Sequence, residues 1–481
     1  MFGGPPPLGV KRKALSRSRA GGADASAPKP WRSRKEAQGR AERGWRRCAS
    51  LCFFLLSGRQ EKEGEIIINT LQSFSMDLRT LPSSLNAEQR CDERRKRVEA
   101  ELGVDLSTLH MNEERIGQAD EKNCEQMIGA VPLPVGIAGP LAITFSSGEK
   151  TDVALPLATT EAALVASVNR GCKVLSTSGG VSVKSLYHGM SRSIVFKPKN
   201  KNSSATSLPV GERPSEEENG AKEHSYTIQI KAMEPEWKRI GESTSGHLKI
   251  LRHDLDESDG YTFLTIFCDT SEAMGMNMTT IAAQAIGDFL AEELDAELVT
   301  VAANVDSDKK PSRRTHDRGR GYEVTASALI PSSIIAEVLK TTPEKLLAVA
   351  DAKLQVGSKV AGAIGSNLHA ANIVAALYLA TGQDAAHVVE GSLADTTITP
   401  AQDGIAIQIR LPALLVGIRG GGTALPAQHQ CLSLILKTKT KLQPPLQLAE
   451  TIGAAVLAGE LSLLAAQATQ TLASSHKKLA R

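Results

Sequence analysis

Four segments of the C-terminal half, PSSIIAEVLKTT, PEKLLAVADAKLQVGSKVAGAIG, HAANIVAALYLATG and LAETIGAAVLAGELSLLAAQATQTLASSH, read as helices in which alanine and glycine keep recurring. Such small side chains let helix axes approach closely, and this half reads as mainly helical. The composition leaves little alternative. Hydrophobic residues make up 41% of the chain but aromatic ones only 4%, so the core rests on Ala, Val, Ile and Leu. GIAIQIRLP alternates and reads as a strand.

The 481 residues amount to roughly three average domains. A net charge of +3 carries no nucleic-acid signature for the chain as a whole. The seven cysteines form no CxxC pair, which argues against a zinc site or disulfide scaffold and fits a reducing compartment. CASLCFFLLSG is too short to cross a membrane, and no other segment reads as a span, so the expectation is a soluble protein or one held to a membrane by other means. The first sixty or so residues are basic and rich in Pro, Gly, Arg and Ser. They read as an organellar address, a tail, or translation upstream of a start at Met76. The mitochondrial matrix and the cytoplasm both stay open.

From residue 84 the pattern is globular. SSLNAEQRCDERRKRVEAEL reads as an Asn-capped helix, EQMIGAVPLPVGIAGPLAI as an extended segment, and LAITFSSGEKTDVALPL as a hairpin closed at Ser-Gly. A long helix is expected from near Thr160. VSVKSLYHGMSRSIVFK, YTIQIKAM, LKILRHDL, YTFLTIFC and ELVTVAANV read as strands, MTTIAAQAIGDFLAEEL as a helix, and 199–226 as a flexible insertion.

Ionisable residues among apolar neighbours are costly unless they have work to do. Glu161 reads as a helix N-terminal carboxylate or a functional acid, Asp384 as an N-cap, and His476 as a cation near a helix end. DSDKKPS sets Lys309 and Lys310 just past a strand, as wet surface or as anion holders. EAMGMN precedes a helix whose free amides suit phosphate, and RGGGT offers backbone that a ligand can approach; neither is a GxGxxG or Walker A pattern.

In order along the chain, EQMIGAVPLPVGIAGPL, LATTEAALVASVNRGC, EAMGMNM, DSDKKP, HAANIVAALYLATGQDAAH, GGGT, GELSLLAA and SSH resemble the hydroxymethylglutaryl-coenzyme A (HMG-CoA) reductase family over roughly residues 84–481. The resemblance implies an α+β protein. A helix-rich large domain, 84–179 with 301–481, carries an inserted small ferredoxin-like α/β cofactor domain at 180–300; residues 1–83 form a basic extension. The implied activity is reduction of HMG-CoA to mevalonate and CoA by two NADPH, on the route to isoprenoids and sterols, without a metal. Active sites built between subunits imply a homodimer or homotetramer. The SDKKP form of the lysine loop resembles the eukaryotic-type, NADPH-using class, here without its membrane region.

By the same resemblance Lys309 stabilises the oxyanion, Glu161 donates a proton from a buried position, Asp384 links the two, and His476 protonates the departing CoA thiolate. Arg192, Asp308 and Lys310 match substrate-binding positions. Asn169, Arg170, Lys340, Lys353, His369 and Asn372 match positions near CoA and the active site. Ser245, Glu272, Met274, Gly275, Met276, Asn277, Gly420, Gly421, Gly422, Thr423 and Arg481 match NADPH contacts, as does Asp308.

Several positions depart from the family pattern. Glu272 stands for the usual Asp, Gln126 for Asn, and Ala302 for a serine that contacts the substrate carboxylate. His316 and Arg318 replace Trp and Glu, and Gly246 replaces an arginine near the cofactor phosphate. These changes keep two other readings in view: a catalytically silent CoA-thioester-binding regulatory relative, and an NADH-linked degradative reductase.

Overall fold

The computed structural model describes residues 77–199, 226–438 and 440–470. The basic segment before Asp77, all of the 199–226 insertion but its two ends, His476 and Arg481 lie outside the described residues.

Helix α1 (Ala87–Leu102) starts where expected. The Asn86 side chain accepts from Gln89 N–H while the Gln89 side chain takes the Asn86 N–H, and Gly103 ends the helix in the left-handed conformation. Buried Arg94 and Arg95 donate to Met127 O and Ile128 O, both at 3.2 Å, which staples the extended EQMIG segment in place. The chain then forms the hairpin of β1 (Val135–Thr144) and β2 (Lys150–Ala158), closed at Gly148 with φ +86°. Helix α2 (Leu164–Thr177) begins later than expected, because Ala163 turns left-handed at φ +72°.

Strand β3 (Val181–Pro198) serves two sheets. Up to Gly189 it pairs with β7 (Gly321–Ile330), and from Met190 onward with β5 (Tyr261–Asp269) and β6 (Ala296–Thr300). The expected boundary at 180 is where this strand begins; the change of partner falls at about 189.

The first sheet runs β2-β1-β3-β7-β9-β8, where β8 is Asp395–Pro400 and β9 Ile405–Leu414. Only β1 and β3 pair in parallel; the sequence pattern did not mark β7 and β8 as strands. Helix α9 (Pro444–Ala468) packs against α2, β7 and β9 and belongs to the large core. By length and composition α9 could cross a membrane, contrary to the expectation that no segment qualifies; 94% of its most apolar stretch is instead buried in the fold. The core is aliphatic as composition required, with Phe145, Tyr322 and Tyr378 its aromatic members. A Cβ on Gly171 of α2 would lie 1.9 Å from Ala458 O of α9, so that contact admits no side chain.

The second sheet runs β4-β5-β3-β6, all antiparallel, with β4 at Lys249–Ser258. With α3 (Glu234–Ser243) and α4 (Met276–Glu293) the chain order is βαββαβ, the ferredoxin-like pattern. A separate core forms around Trp237, Ile194, Phe196 and Ile286. The YTIQIKAM segment is not a strand: residues 226–232 are helical. Strands β3 and β4 run parallel with β5 between them, so their connection is a crossover, which takes a helix. Its alternation is overridden by topology, and Trp237 Nε1 fixes the segment by donating to Ile230 O at 2.9 Å.

Candidate active site

The lysine loop bends through three left-handed residues that are not glycine: Asn304, Ser307 and Lys309, with φ of +63°, +55° and +56°. Such a run of disfavoured conformations persists only where the surroundings enforce it. The Lys309 N–H donates to Glu390 Oε1 at 3.0 Å, and its Nζ lies 2.8 Å from Asp384 Oδ2. Asp384 caps the turn after α7 (Ala370–Thr381) as the sequence suggested, accepting from Ala386 N at 3.0 Å. Burial pushes the Asp384 carboxyl up, but its bonds to Lys309 and the Ala386 amide prevail and hold it below the usual carboxylate range.

Behind the pair lies a buried charge cluster that sequence reasoning missed. Glu390, Arg320 and His387 are 0%, 1% and 0% exposed. Arg320 Nη1 bridges Glu390 Oε1 at 2.9 Å and Asp308 Oδ1 at 3.1 Å. Arg192 reaches Asp306 and Asp308, each at 3.3 Å, and donates to Thr280 at 2.9 Å; Lys310 Nζ donates to Asp308 O at 2.9 Å. Arg192, Asp308 and Lys310 are thus brought together. Burial raises the Asp306 carboxyl despite its arginines. At Asp308 burial acts the same way, but Arg320, His387 and Arg192 outweigh it and hold the group low. Asp308, His387 and Glu390 would suit a metal by spacing, yet Arg320 already supplies positive charge between two of them. The only trace of this cluster in the sequence was His and Glu three apart in DAAHVVEG.

Lys309 and Asp384 open on a cleft of about 650 Å³ between the loops at 273–278 and 417–423. The two loops are tied together. Glu272 and Arg419 form an ion pair, Ile418 N–H donates to Glu272 O at 2.8 Å, and Thr423 Oγ1 closes on Gly420 O at 2.7 Å. Gly275 must be glycine, because a Cβ there would lie 2.2 Å from Thr270 at φ +91°. Gly420 and Gly421 also have positive φ but face open space, so a ligand can approach their backbone where a Cβ would intrude. Helix α4 starts at this cleft without an acidic residue in its first turn, leaving its N-terminal field free for an anion. The residues present fit a dinucleotide. Ser245 stands by the same loop, with its Oγ 3.5 Å from Met278 Sδ.

The other expected residues lie elsewhere. Glu161 precedes α2 and is exposed, accepting from Asn372 Nδ2 at 2.6 Å; the burial expected of this acid is not supplied by the chain itself, because its turn projects ahead of the helix. Among the described residues neither a hydrogen bond nor an ion pair joins Glu161 and Asn372 to Lys309 and Asp384. His369 follows a loop fixed by buried Glu460, whose Oε1 accepts from the His369 N–H and whose Oε2 accepts from the Leu368 N–H, both at 2.7 Å. Asn169 and Arg170 line a second cleft of about 610 Å³ with Lys173. There Asn169 accepts from Gly139 N at 3.0 Å, and Arg170 donates to Ser462 O at 2.7 Å. Lys340 is exposed in a left-handed turn, and Lys353 is half-buried.

Comparison with known proteins agrees with this architecture. The family model described as hydroxymethylglutaryl-coenzyme A reductase matches residues 90–481. The 3-hydroxy-3-methylglutaryl-coenzyme A reductase of Haloferax volcanii is 38% identical over 410 residues, covering 84% of this chain and 96% of the relative. That of Pyrococcus abyssi is 38% identical over 428 residues, covering 87% and 99%. Reductase 1 of Dictyostelium discoideum is 34% identical over 402 residues, covering 80% and 67%. A class II reductase from Streptococcus pneumoniae, solved with NADPH in open conformations, shares the fold with a TM-score of 0.57 at 17% identity, over 78% of this chain and 96% of that one. The chain belongs to the hydroxymethylglutaryl-coenzyme A reductase family.

Proposed function

We infer that this protein reduces HMG-CoA to mevalonate and CoA with two NADPH per turnover, on the mevalonate route to isoprenoids and sterols. The observation that carries this reading is the 2.8 Å Lys309–Asp384 pair, set on a cleft between two glycine-bearing loops in a chain of this family. NADPH, when bound by the 272–277 and 420–423 loops, supplies hydride. Lys309, oriented by its 2.8 Å contact with Asp384, stabilises the thioester oxygen as negative charge gathers there; removing one such donor costs on the order of 10²–10³ in rate. Glu161, held by Asn372, is the proton donor to that oxygen. His476 protonates the leaving thiolate. Arg192 and Lys310 receive the substrate's free carboxylate beside Asp308.

A homodimer or a dimer of dimers completes the site. Exposed Val131, Leu133, Val135 and Ile137 support this, as does the exposure of Glu161, whose cover must come from substrate or a second subunit. The finer assignment to the eukaryotic-type class rests on the SDKKP loop. The archaeal relatives at 38% identity and the Dictyostelium relative at 34% support the family more broadly than that class.

The test is to follow reduced nicotinamide absorbance with HMG-CoA, NADPH and NADH side by side, and to quantify mevalonate. The reading expects two NADPH consumed per mevalonate, with NADH far slower. A preference for NADH would move the protein to the degradative type, and tight HMG-CoA binding without turnover would make it a silent relative. Lys309→Ala should abolish reduction while leaving the fold intact; a variant that keeps most of its activity would refute the role given to Lys309.

A further inference from the structure

His387 sits between two carboxylates that both govern Lys309. Its Nδ1 lies 3.0 Å from Glu390 Oε1, the same oxygen that accepts the Lys309 N–H. Its Nε2 lies 3.7 Å from Asp384 Oδ2, the oxygen paired with Lys309 Nζ. The ring is 0% exposed, and Nε2 has no hydrogen-bond partner among the described residues, as Glu390 Oε2 has none. A fully buried imidazole nitrogen left unpaired and aimed at a carboxylate just beyond bonding distance is costly as a purely structural arrangement. It makes sense if the nitrogen is paired in another protonation state.

We propose that His387 is a positioning residue that couples the buried Glu390–Arg320 pair to the Lys309–Asp384 pair, and that its protonation sets how Asp384 divides itself between Lys309 and the imidazole. The neutral ring donates from Nδ1 to Glu390 and leaves Nε2 bare, so Asp384 holds Lys309 alone. The protonated ring also donates from Nε2 to Asp384 Oδ2 after a shift of well under a side-chain length. Asp384 is then shared, and a second positive charge stands near the lysine.

The charged and titratable groups around the ring are Glu390, Asp384 and Asp308, the last with Oδ1 3.9 Å from Nδ1. Behind them stand Arg320 on Glu390 and Asp308, Arg192 on Asp308, and Lys309 on Asp384. On the packed helix α7, the Tyr378 phenol is pushed up by burial and is neutral throughout. Imidazole alone among ordinary side chains changes charge near neutrality, so the coupling must show in the pH profile of the reaction.

This inference rests on the reductase reading above, and the experiment separates the two. His387→Gln keeps a donor and an acceptor but cannot titrate. Measured against wild type with HMG-CoA and NADPH, it should lose one pH-dependent limb of kcat while retaining the limb that His476 contributes. Its kcat should drop about five- to tenfold, the worth of one buried hydrogen bond, with KM for HMG-CoA nearly unchanged. Glu390→Gln still accepts the Lys309 N–H but removes an anion facing the ring, so its limb should move to lower pH. Superimposable wild-type and His387→Gln profiles would overturn the proposal, as would a change confined to KM. If His387→Gln fails to fold, Glu390→Gln decides alone, and an unmoved limb is then the adverse result. Nitrogen-15 imidazole spectra of substrate-free wild type give an answer without turnover. A His387 ring whose Nε2 gains its proton together with a change at Lys309 supports the coupling, and a ring fixed in one state across the range refutes it. Wild type that is inactive with either cofactor would instead count against the reductase reading.

Discussion

At the scale of single residues, ion-pair geometry decides more than burial does. Lys309 and Asp384 have side chains 39% and 37% exposed, so their 2.8 Å contact adds little to stability. Its use is orientation. Asp384→Asn should therefore leave the melting temperature within about 3 °C of wild type while kcat falls by on the order of 10². A thermal shift well beyond that, with activity retained, would invert the assignment. The pH sense follows from the lowered Asp384 carboxyl. A depressed acid keeps its pair at and above the ordinary carboxylate range, and the pair is lost only as pH falls through the lower, folded-state value. An acid limb near neutrality thus belongs to a group other than Asp384. Glu161, Lys309 and Asp384 could be singled out in the sequence because each falls inside a motif, LATTEAAL, DSDKKP or GQDAAH, that carries the family resemblance. Glu390 and Arg320 could not, since nothing local distinguishes a carboxylate that will be buried 70 residues away from its guanidinium partner.

Among the elements, the contact of α2 with α9 shows what the alanine and glycine pattern is for. Gly171 lies where a methyl group would overlap Ala458 O. Gly171→Ala gains helix propensity of about 1 kcal/mol, yet overpacking there should cost about 3 kcal/mol. The net loss should appear as a melting temperature several degrees lower; an unchanged or raised value would mean that the helices can part without penalty. Helix α9 also shows how a span-length apolar helix stays inside a globular core. It carries Glu450 and Glu460, both 0% exposed. Glu450 accepts from the Ser146 N–H at 3.0 Å and from the hydroxyls of Ser146 and Ser185, and Glu460 accepts from two loop amides and the Thr396 hydroxyl. The strand pattern of YTIQIKAM misled for the opposite reason: four alternating apolar positions are too few to outweigh a crossover connection.

Over the whole molecule, two cores share strand β3, whose pairing with β5, β6 and β7 ties the loop at 273–278 and the lysine loop to the large sheet. The sulfur chemistry reports on that packing. Burial pushes the Cys172 and Cys268 thiols up to about 12, whereas Cys124 is exposed near the cleft. Alkylation of native protein at mildly alkaline pH, mapped by peptide mass, should modify Cys124 first among the cysteines of the described residues and leave Cys172 and Cys268 intact until unfolding. Equal labelling of Cys172 would show that the large core opens readily.

The sequence by itself determined the aliphatic core, the capped and glycine-terminated helices, the hairpin and the loops that bear the candidate chemistry. All of these depend on neighbours a few residues apart. The tertiary structure decided which of those loops meet. It set Lys309 against Asp384, left Glu161 with Asn372 apart from them, turned an alternating segment into a crossover helix, and closed a buried ring of charge around His387. Long-range pairing of that kind depends on strand order and on which groups share a dry interior, and no local pattern of side chains encodes it.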